Sequence, residues 1–410
     1  MASISSNTSF DESDLNDTGN NFFVTFYDVN KNRYINDTGN YTEEYQPFML
    51  PVGRQVLWSI LFCIIVVVAT LGNFVVIWIV AVNRRMRTVT NYLLVNLSLA
   101  DAMISTLNVT INFVYMLNSH WPFGYFYCKF NQFIAVVSIS ASVFTLMVIS
   151  IDRYMAIVNP LRPRLGKRAT LAIMTAIWVG SAVIGIPNLV YFTTDFDYLP
   201  DGSVREVCYS EWPDGLTTRS EIEYIYNVIF MMVTYFIPII AMTYTYARIG
   251  VELWGSKSIG ESSQRQADNV KGKRRVVKMM IVIVVIFAVC WLPFHVYFII
   301  TSNYPEVTNY PPIQEIYLAI YWLAMSNSML NPIILYWMNF KFRRGFRQFM
   351  KCCCAFGDKD ARRQGMYELQ HLDRSLHSYS PTQKNGTSTV SVSIQSFNNT
   401  PMENDNTTKV

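Results

Sequence analysis

The stretch from Cys128 to Pro160 reads CKFNQFIAVVSISASVFTLMVISIDRYMAIVNP, and it decides how the rest of the chain is interpreted. Between Lys129 and Asp152 it contains no charged residue. A helix of about 22 residues spans about 33 Å, which is enough to cross a hydrocarbon core of about 30 Å. One end carries a cysteine, and the other carries Asp152-Arg153-Tyr154 and then a basic segment. The two ends therefore indicate a transmembrane helix between an oxidising compartment and the cytoplasm.

The composition indicates a membrane protein throughout. Hydrophobic residues make up 51% of the 410-residue chain and charged residues only 15%, whereas soluble domains carry about 25% charged residues. The apolar residues form seven blocks long enough to span a bilayer, at 55–82, 91–118, 127–158, 169–192, 223–250, 276–301 and 313–338. The predicted fold is an all-α membrane protein, a bundle of seven transmembrane helices. A net charge of +4 gives no indication of nucleic-acid binding.

The basic residues predict the orientation of the bundle. Lys and Arg concentrate in alternate connections, at 84–87, 162–168, 257–275 and 341–351. The positive-inside rule then puts the N-terminus outside and the C-terminus in the cytoplasm of a multi-pass plasma-membrane protein. The bundle occupies 55–338. Residues 1–54 are predicted to be an extracellular, disordered tail with glycosylation sequons at Asn7, Asn16, Asn36 and Asn40.

Two cytoplasmic regions follow the bundle. Residues 339–351 alternate Phe with Lys and Arg, which predicts a short amphipathic helix on the membrane lipid surface. Residues 352–410 are predicted to be a disordered tail. It begins with three palmitoylation candidates, Cys352, Cys353 and Cys354. Its Ser and Thr residues are candidate sites for a receptor kinase and then arrestin, and the ending Thr408-Lys409-Val410 fits a PDZ ligand.

Polar residues inside the apolar blocks are candidates for function, because burying them in a membrane is costly. Six of them fall at similar depth: Asn73, Asp101, Ser142, Asn327, Ser328 and Asn331. A buried carboxylate among amides and hydroxyls can hold a sodium ion or a proton. The alternative is a hydrogen-bonded network with a neutral Asp101. No other cofactor or metal site is expected.

Two cysteines lie on the predicted extracellular side. Cys128 begins the third span and Cys208 lies between the fourth and fifth spans. They are the only pair in the oxidising compartment, which predicts a disulfide that holds the loop Thr193–Arg219 across the mouth of the bundle.

Several motifs together resemble the rhodopsin-type class of G-protein-coupled receptors. They are Asp152-Arg153-Tyr154, Cys290-Trp291-Leu292-Pro293, Asn331-Pro332, Trp178 and Trp121-Pro122-Phe123-Gly124. The stretches 207–213, 275–280, 290–295 and 317–326 narrow the resemblance to tachykinin (neurokinin) receptors, and 250–256 is most similar to the invertebrate members. The resemblance covers residues 55–350.

The resemblance implies a binding pocket for an amidated neuropeptide. The candidate pocket residues include positions that match the vertebrate pattern and positions that depart from it. They are Asn108, Asn112, Asn188, Asn227, Phe294, His295, Phe298, Glu315, Tyr317 and Tyr321. Asn108 and Asn112 share one helix face and either bind the peptide amide or bond to a neighbouring helix. Asn188, Asn227 and Glu315 are the departures. We expect Glu315 to pair with the terminal arginine amide of invertebrate tachykinin-related peptides.

The resemblance also implies which residues switch the bundle and contact a heterotrimeric G protein. They are Asp152, Arg153, Tyr154, Pro238, Tyr246, Lys273, Arg274, Arg275, Phe287 and Trp291. Lys273 stands where some receptors carry an acid, so Asp152 is expected to be the main partner of Arg153. In the family, Asn-Pro is followed by two residues and then a tyrosine; this chain has Leu335 at that place and Tyr336 one place later. One residue rotates a helix position by about 100°, so Tyr336 is not expected to face inward.

The expected function is a non-enzymatic receptor for an amidated tachykinin-related peptide, coupled to the Gq class. The alternatives are a receptor for a different Arg-amide peptide (natalisin-like) or for a non-peptide ligand on the same fold. Ala135 stands where monoamine receptors carry their aspartate, and the seventh span has no lysine for retinal. No inverted repeat, zinc-spaced histidines or Gly-flanked nucleophile indicates a transporter or membrane enzyme.

Overall fold

The computed structural model describes residues 26–28, 33–35, 41–44, 50–161, 165–198, 204–216, 220–255, 264–309 and 312–354. In the first three strands and at 198, 216, 255, 264–271, 305, 309 and 352–354 the description covers the backbone alone. Contacts divide the chain into Met1–Met350 and Lys351–Val410, and the bundle belongs to the first unit.

Within the part of the chain that the structure describes, seven helices are long and apolar enough to cross a membrane. In chain order they are α1 Val52–Val82, α2 Val89–Asn118, α3 Gly124–Val158, α4 Lys167–Tyr191, α5 Glu221–Trp254, α6 Gln264–Asn303 and α7 Ile313–Met338. They confirm the predicted bundle of seven spans. The ends agree with the predicted blocks within about four residues, except that the backbone of α6 begins at residue 264 rather than 276.

The helix α3 is the central element. Two thirds of its apolar stretch (67%) is buried, against 22% for α4, which lies at the edge. Small residues bring helices close to one another. Gly72 of α1 lies against Pro332 of α7, and Gly185 of α4 lies against Phe133 of α3. This close approach is typical of packing inside a membrane, where small side chains permit backbone contact.

Two spans contain a π-helical turn that the sequence analysis did not predict. One lies at Ile104–Val109 in α2 and the other at Met232–Phe236 in α5, just before Pro238. A π turn inserts one residue, so it rotates the side chains that follow. The first turn contains Asn108, and the turn therefore determines which way the pocket face of α2 points.

A β-hairpin connects α4 to α5, where only a loop was predicted. Strand β4 (Phe192–Tyr198) pairs antiparallel with β5 (Val204–Trp212), and β5 pairs with β6 (Gly215–Leu216). The predicted disulfide between Cys128 and Cys208 is present and ties β5 to α3. We call this side of the bundle the disulfide end and the opposite side the Arg153 end.

Trp121 anchors the hairpin a second time. Its backbone N–H donates to the carbonyl of Glu206 at 2.8 Å, and its indole N–H donates to Gly124 at 3.0 Å. The fully buried ring packs against Tyr115, with the ring centres 5.3 Å apart. The disulfide thus holds the hairpin to α3, and Trp121 holds it to the connection between α2 and α3.

The chain continues beyond α7 as the helix α8, Phe340–Cys354. Its apolar side is shared between the bundle and the surface. Phe342 is fully buried, Phe349 packs on Trp78 of α1, and Gly345 lies against Ile79. Phe340 remains exposed. The predicted amphipathic helix is present, but much of its aromatic face packs on α1 and α7 instead of facing lipid.

Residues before α1 include three short strands of one antiparallel sheet, β1 Phe26–Asp28, β2 Arg33–Ile35 and β3 Tyr41–Glu44 in the numbering that continues with β4. The prediction that 1–54 is disordered is wrong for these strands and for the first turn of α1. The four sequons and the tail after residue 354 lie outside the residues with described side chains, so glycosylation, palmitoylation and phosphorylation stay predictions.

Candidate ligand-binding site

A cavity of about 270 Å³ lies at the disulfide end of the bundle. Its walls come from α2 to α7 and from the hairpin, so all but one of the spans contribute to it. Nine of the ten predicted pocket residues line it: Asn108, Asn112, Asn188, Asn227, Phe294, His295, Phe298, Tyr317 and Tyr321. The exception is Glu315. The volume is at the low end of the range for small-molecule sites, about 300–1,000 Å³.

A chain of amides forms one wall. Asn131 of α3 donates to Oδ1 of Asn112 at 2.9 Å, and Asn112 donates to Oδ1 of Asn108 at 2.7 Å. The hydroxyl of Tyr321 in α7 donates to the same Asn108 oxygen at 2.6 Å. The interhelical alternative for the Asn108–Asn112 pair is therefore present, and because both amides also line the cavity, binding of the peptide amide stays a prediction.

Asn131 was not among the predicted site residues. It is fully buried, and its Oδ1 has no hydrogen-bond partner among the described residues. It lies one residue before Gln132, which lines the cavity. An asparagine so close to the disulfide cysteine gave no signal in the sequence, because its use depends on which face of α3 meets α2.

Aromatic side chains form the floor and the α6–α7 wall. Trp291 and His295 lie one helical turn apart, and their ring centres are 6.1 Å apart. Phe294 and Phe298 also lie one turn apart, and their ring centres are 4.8 Å apart. Tyr317 continues the row on α7. Phe287 lies below Trp291 at 6.3 Å, out of the cavity. A rigid aromatic surface of this kind supplies large contact area for an apolar ligand side chain at low entropy cost.

The hairpin side of the cavity is polar and acidic. Ser210 of β5 donates to Oε1 of Glu223 at 3.0 Å, and Trp212, two residues further along the strand, packs on Tyr226 at 5.4 Å. Asn188 donates to the Tyr226 hydroxyl at 3.0 Å. Ser210, Trp212, Glu223 and Tyr226 all line the cavity, and none was predicted to.

The turn before α5 fixes the position of this acid. Ser220 caps the helix by accepting from the backbone N–H of Glu223 at 2.9 Å. Asp214 accepts from the Ser220 hydroxyl and from the N–H of Ile222 at 2.9 Å. These bonds hold the pKa of the Asp214 carboxyl below its usual value. The first turn of α5 is thereby tied to the hairpin.

The predicted role of Glu315 needs correction. Its carboxylate pairs with Arg54 of α1, and it does not line the cavity. Both side chains are partly exposed at the rim of the bundle. An in-chain arginine therefore already occupies the acid that was expected to receive an arginine of the ligand.

The polar network predicted at mid-depth is present between α2, α3 and α7. Ser142 donates to one oxygen of Asp101 at 2.9 Å, and Asn331 donates to the other at 2.7 Å. Asn73 donates to the backbone carbonyl of Ser328 at 3.0 Å. The side-chain oxygens of Asn73 and Asn327 are buried and have no hydrogen-bond partner among the described residues. Carboxylate, hydroxyl and amide oxygens are ligands of the kind that hard cations take, so these residues could hold a sodium ion.

At the Arg153 end, Asp152 has the predicted role of partner to Arg153. It accepts from the arginine at 2.8 Å and from Thr90 of α2 at 2.9 Å. A second contact there was not predicted in this form. Arg274 of α6 donates twice to the backbone carbonyl of Leu253 in α5, at 3.0 and 2.6 Å.

Residues 72–335 match the family described as "7 transmembrane receptor (rhodopsin family)". The chain belongs to this family. Its members are signalling receptors, so the predictions of a seven-span receptor fold and of a non-enzyme are confirmed. The receptor is a multi-pass membrane protein of the plasma membrane.

Similar proteins indicate which members of this family the receptor resembles. The receptor is 61% identical over 306 residues to "Tachykinin-like peptides receptor 99D" of Drosophila melanogaster, covering 75% of this chain and 59% of that protein. It is 48% identical to "Tachykinin-like peptides receptor 86C" of the same species, covering 76% of this chain and 62% of that protein. It is 42% identical to the "Substance-P receptor" of the dog, covering 76% of this chain and 75% of that protein. The receptor thus spans less than two thirds of the length of the two Drosophila relatives. The predicted resemblance to tachykinin receptors is confirmed.

Proposed function

We propose that this receptor binds an amidated tachykinin-related peptide in the cavity at the disulfide end. The observation that carries the proposal is the chain of amides from Asn131 to Asn108 and Tyr321 in the cavity wall. Amide side chains offer both donors and acceptors, so they can exchange their mutual bonds for bonds to a peptide terminal amide. The printed names of the relatives, which are tachykinin-like peptide and substance-P receptors, support this ligand class.

The disulfide end then faces the outside of the cell and the Arg153 end faces the cytoplasm. The distribution of Lys and Arg among the connections supports this orientation. Peptide binding shifts a two-state bundle in which Trp291, Phe287 and the segment at Pro238 repack, and α6 moves outward at the Arg153 end. A heterotrimeric G protein of the Gq class docks there and raises calcium. Arrestin, a receptor kinase and a PDZ protein act on the cytoplasmic tail.

A sodium ion at Asp101 is part of the same proposal. The unpaired oxygens of Asn73 and Asn327 support it, because buried acceptors without donors are costly unless a cation or water satisfies them. Asp101, Ser142 and these two asparagines would hold the ion, and it would supply the positive charge that the buried carboxylate lacks among its described neighbours.

The test is a calcium reporter in cells that express the receptor. Three amidated peptides are compared, ending in Phe-X-Gly-X-Arg-amide, Phe-X-X-X-Arg-amide and Gly-Leu-Met-amide. The strongest response to the first supports the proposal, and the strongest response to the second supports a natalisin-like ligand. Silence to all three with the receptor at the surface, in both calcium and cyclic-AMP assays, overturns the ligand class.

A matched pair of variants tests the amide wall itself. Asn108→Ala removes the amide that is proposed to bond the peptide terminus. Loss of one or two such hydrogen bonds, worth about 1 kcal/mol each, should lower the potency of the amidated peptide about tenfold. Thr106→Ala lies on the exposed face of the same helix and should leave potency unchanged. The preference for amidated over free-acid peptide should shrink in Asn108→Ala, and an unchanged preference would remove Asn108 from the amide site.

A further inference from the structure

The cavity wall contains one carboxylate among the residues that line it, Glu223, and no lysine or arginine. Its side chain is half-buried at the first turn of α5. A carboxylate in a concave, largely apolar wall concentrates a negative potential there, since low-dielectric walls focus the field. The cavity therefore favours a ligand that brings a positive charge to this wall.

The neighbours of Glu223 suit a flat cation. Ser210 donates to one of its oxygens at 3.0 Å, which fixes the orientation of the carboxylate. Trp212 and Tyr226 line the same cavity, with their ring centres 5.4 Å apart, and Tyr191 packs on Trp212 at 4.5 Å. A guanidinium group pairs with a carboxylate and stacks on aromatic rings, so this combination recognises arginine better than a compact ammonium.

An independent observation also points to a ligand on this wall. The indole N–H of Trp212 is buried and has no hydrogen-bond partner among the described residues, although the ring is only 6% exposed. Buried indole donors normally find an acceptor. A peptide carbonyl next to a bound cationic side chain would supply one.

The hairpin above this wall has the same sign of charge. Its described residues hold five acids and one base: Asp195, Asp197, Glu206, Glu211, Asp214 and Arg205. Burial, together with the carboxylates of Glu211 and Asp195, raises the pKa of the cavity-lining Tyr209. An acidic entrance speeds the encounter with a cationic peptide.

From these observations we infer that Glu223, Ser210, Trp212 and Tyr226 form a subsite for a guanidinium side chain of the ligand. The inference rests on the proposed peptide ligand and names the residue that selects its charge. It places the selective acid at Glu223, which lines the cavity, rather than at Glu315, which does not.

Glu223 also has a structural role that the experiment must separate. It is the third residue after the helix cap Ser220, the position at which a Glu or Gln completes a capping box. Glu223→Gln keeps a side chain that serves this role and removes only the charge. Glu221→Gln removes an exposed acid from the same helical turn and is the matched control.

The experiment compares two peptides on each variant. One ends in Phe-X-Gly-X-Arg-amide with neutral X residues, and the other has citrulline, a neutral isostere, in place of the arginine. The measured quantity is the ratio of the two potencies within one variant, so that surface expression cancels. We expect the native receptor and Glu221→Gln to prefer the arginine peptide about tenfold, and Glu223→Gln to show a ratio near one.

Each result decides a separate point. Silence of the native receptor toward both peptides overturns the proposed function and not only the subsite. A native ratio near one, or a tenfold ratio that survives in Glu223→Gln, overturns the subsite while the proposed function stands. If the potency ratio falls to near one in Glu315→Gln and not in Glu223→Gln, then Glu315 at the rim selects the arginine of the ligand, and the subsite is overturned.

If Glu223→Gln does not reach the cell surface, Ser210→Ala replaces it. That variant leaves the helix cap intact and removes the hydrogen bond that orients the carboxylate. The ratio should then fall severalfold, and an unchanged ratio would equally overturn the subsite.

Discussion

The contact between α5 and α6 at the Arg153 end gives the sharpest prediction about the switch. Arg274 donates through Nε and Nη2 to the backbone carbonyl of Leu253 at 3.0 and 2.6 Å. Its guanidinium also lies 5.7 Å from the ring centre of Trp254. A helix carbonyl near a C-terminus lacks an intrahelical donor, so a charged donor from another helix satisfies it well. The contact holds α6 against α5 and must break if α6 moves outward.

The size of the effect follows from these bonds. A hydrogen bond from a charged donor contributes about 1.5–3 kcal/mol when buried, and a cation–π contact about 0.5–1 kcal/mol when exposed. Arg274 is only half-buried, so we discount the sum for solvent and expect about 1–2 kcal/mol. Removing it in Arg274→Ala should shift the closed-to-open ratio about 5- to 30-fold. An open population of about 1% would then rise to about 5–25%.

The assay must not depend on the G protein, because Arg274 could also contact it. Spin labels at the exposed positions Val82 of α1 and Lys278 of α6 report the distance across the Arg153 end in purified, ligand-free receptor. The control is Arg275→Ala, which removes the same charge from an exposed neighbour. We expect a longer-distance population in Arg274→Ala alone. Identical distance distributions in the two variants would refute the idea that this contact holds the closed state.

Two further predictions concern other contacts. Asp152→Asn should weaken the bond to Arg153 (2.8 Å) and raise basal inositol phosphate production several-fold; an unchanged baseline at equal surface expression would count against it. Gly72→Ala would bring Cβ to 2.7 Å from Pro332 and should cost about 1–3 kcal/mol, measured as a lower Tm in detergent. Gly180→Ala, with nothing within 4 Å, is its control, and equal Tm values would show that α1 and α7 can separate freely.

The sequence predicted the spans well because crossing a membrane requires a long apolar segment, which can be recognised directly in the sequence. A helix that crosses a bilayer must be apolar along its whole length, so block length and flanking charge identify it. The position of α6 shows the limit of this signal. Its backbone stays helical from residue 264, through a polar stretch that hydropathy excludes from a span. Hydropathy therefore identifies the part of a helix that lies in the membrane, but not the residue at which the helix begins.

The hairpin over the cavity shows a signal that was present and not used. Strand β4 and the start of β5 are rich in aromatic and β-branched residues, and Pro200-Asp201-Gly202 between them is typical of a turn. The prediction of a loop held by one disulfide treated that segment as a single tethered connection. Because β5 carries Ser210 and Trp212 into the cavity wall, the missed strand also hid two residues of the candidate site.

The two candidate acids of the site show why a single sequence cannot identify which of them lines the cavity. Glu315 and Glu223 both stand at the first turn of a span on the disulfide end. Only the packing decides between them. Arg54, far away in the chain, reaches Glu315, while the hairpin directs Ser210 to Glu223. Both partners depend on long-range contacts, which carry no local pattern.

The departure after Asn331-Pro332 was interpreted correctly from helix geometry, and it bears on how the switch works. Leu335 is 2% exposed in the bundle core, while Tyr336 turns toward α8 and packs edge-on against Phe346 at 5.7 Å. A tyrosine in α7 is therefore not available to bond Arg153 from within the bundle when α6 moves. Among the described residues, Asp152 holds Arg153 and Arg274 joins α6 to α5 at this end. The balance between closed and open states should accordingly depend on these two side chains more than in receptors that keep the tyrosine.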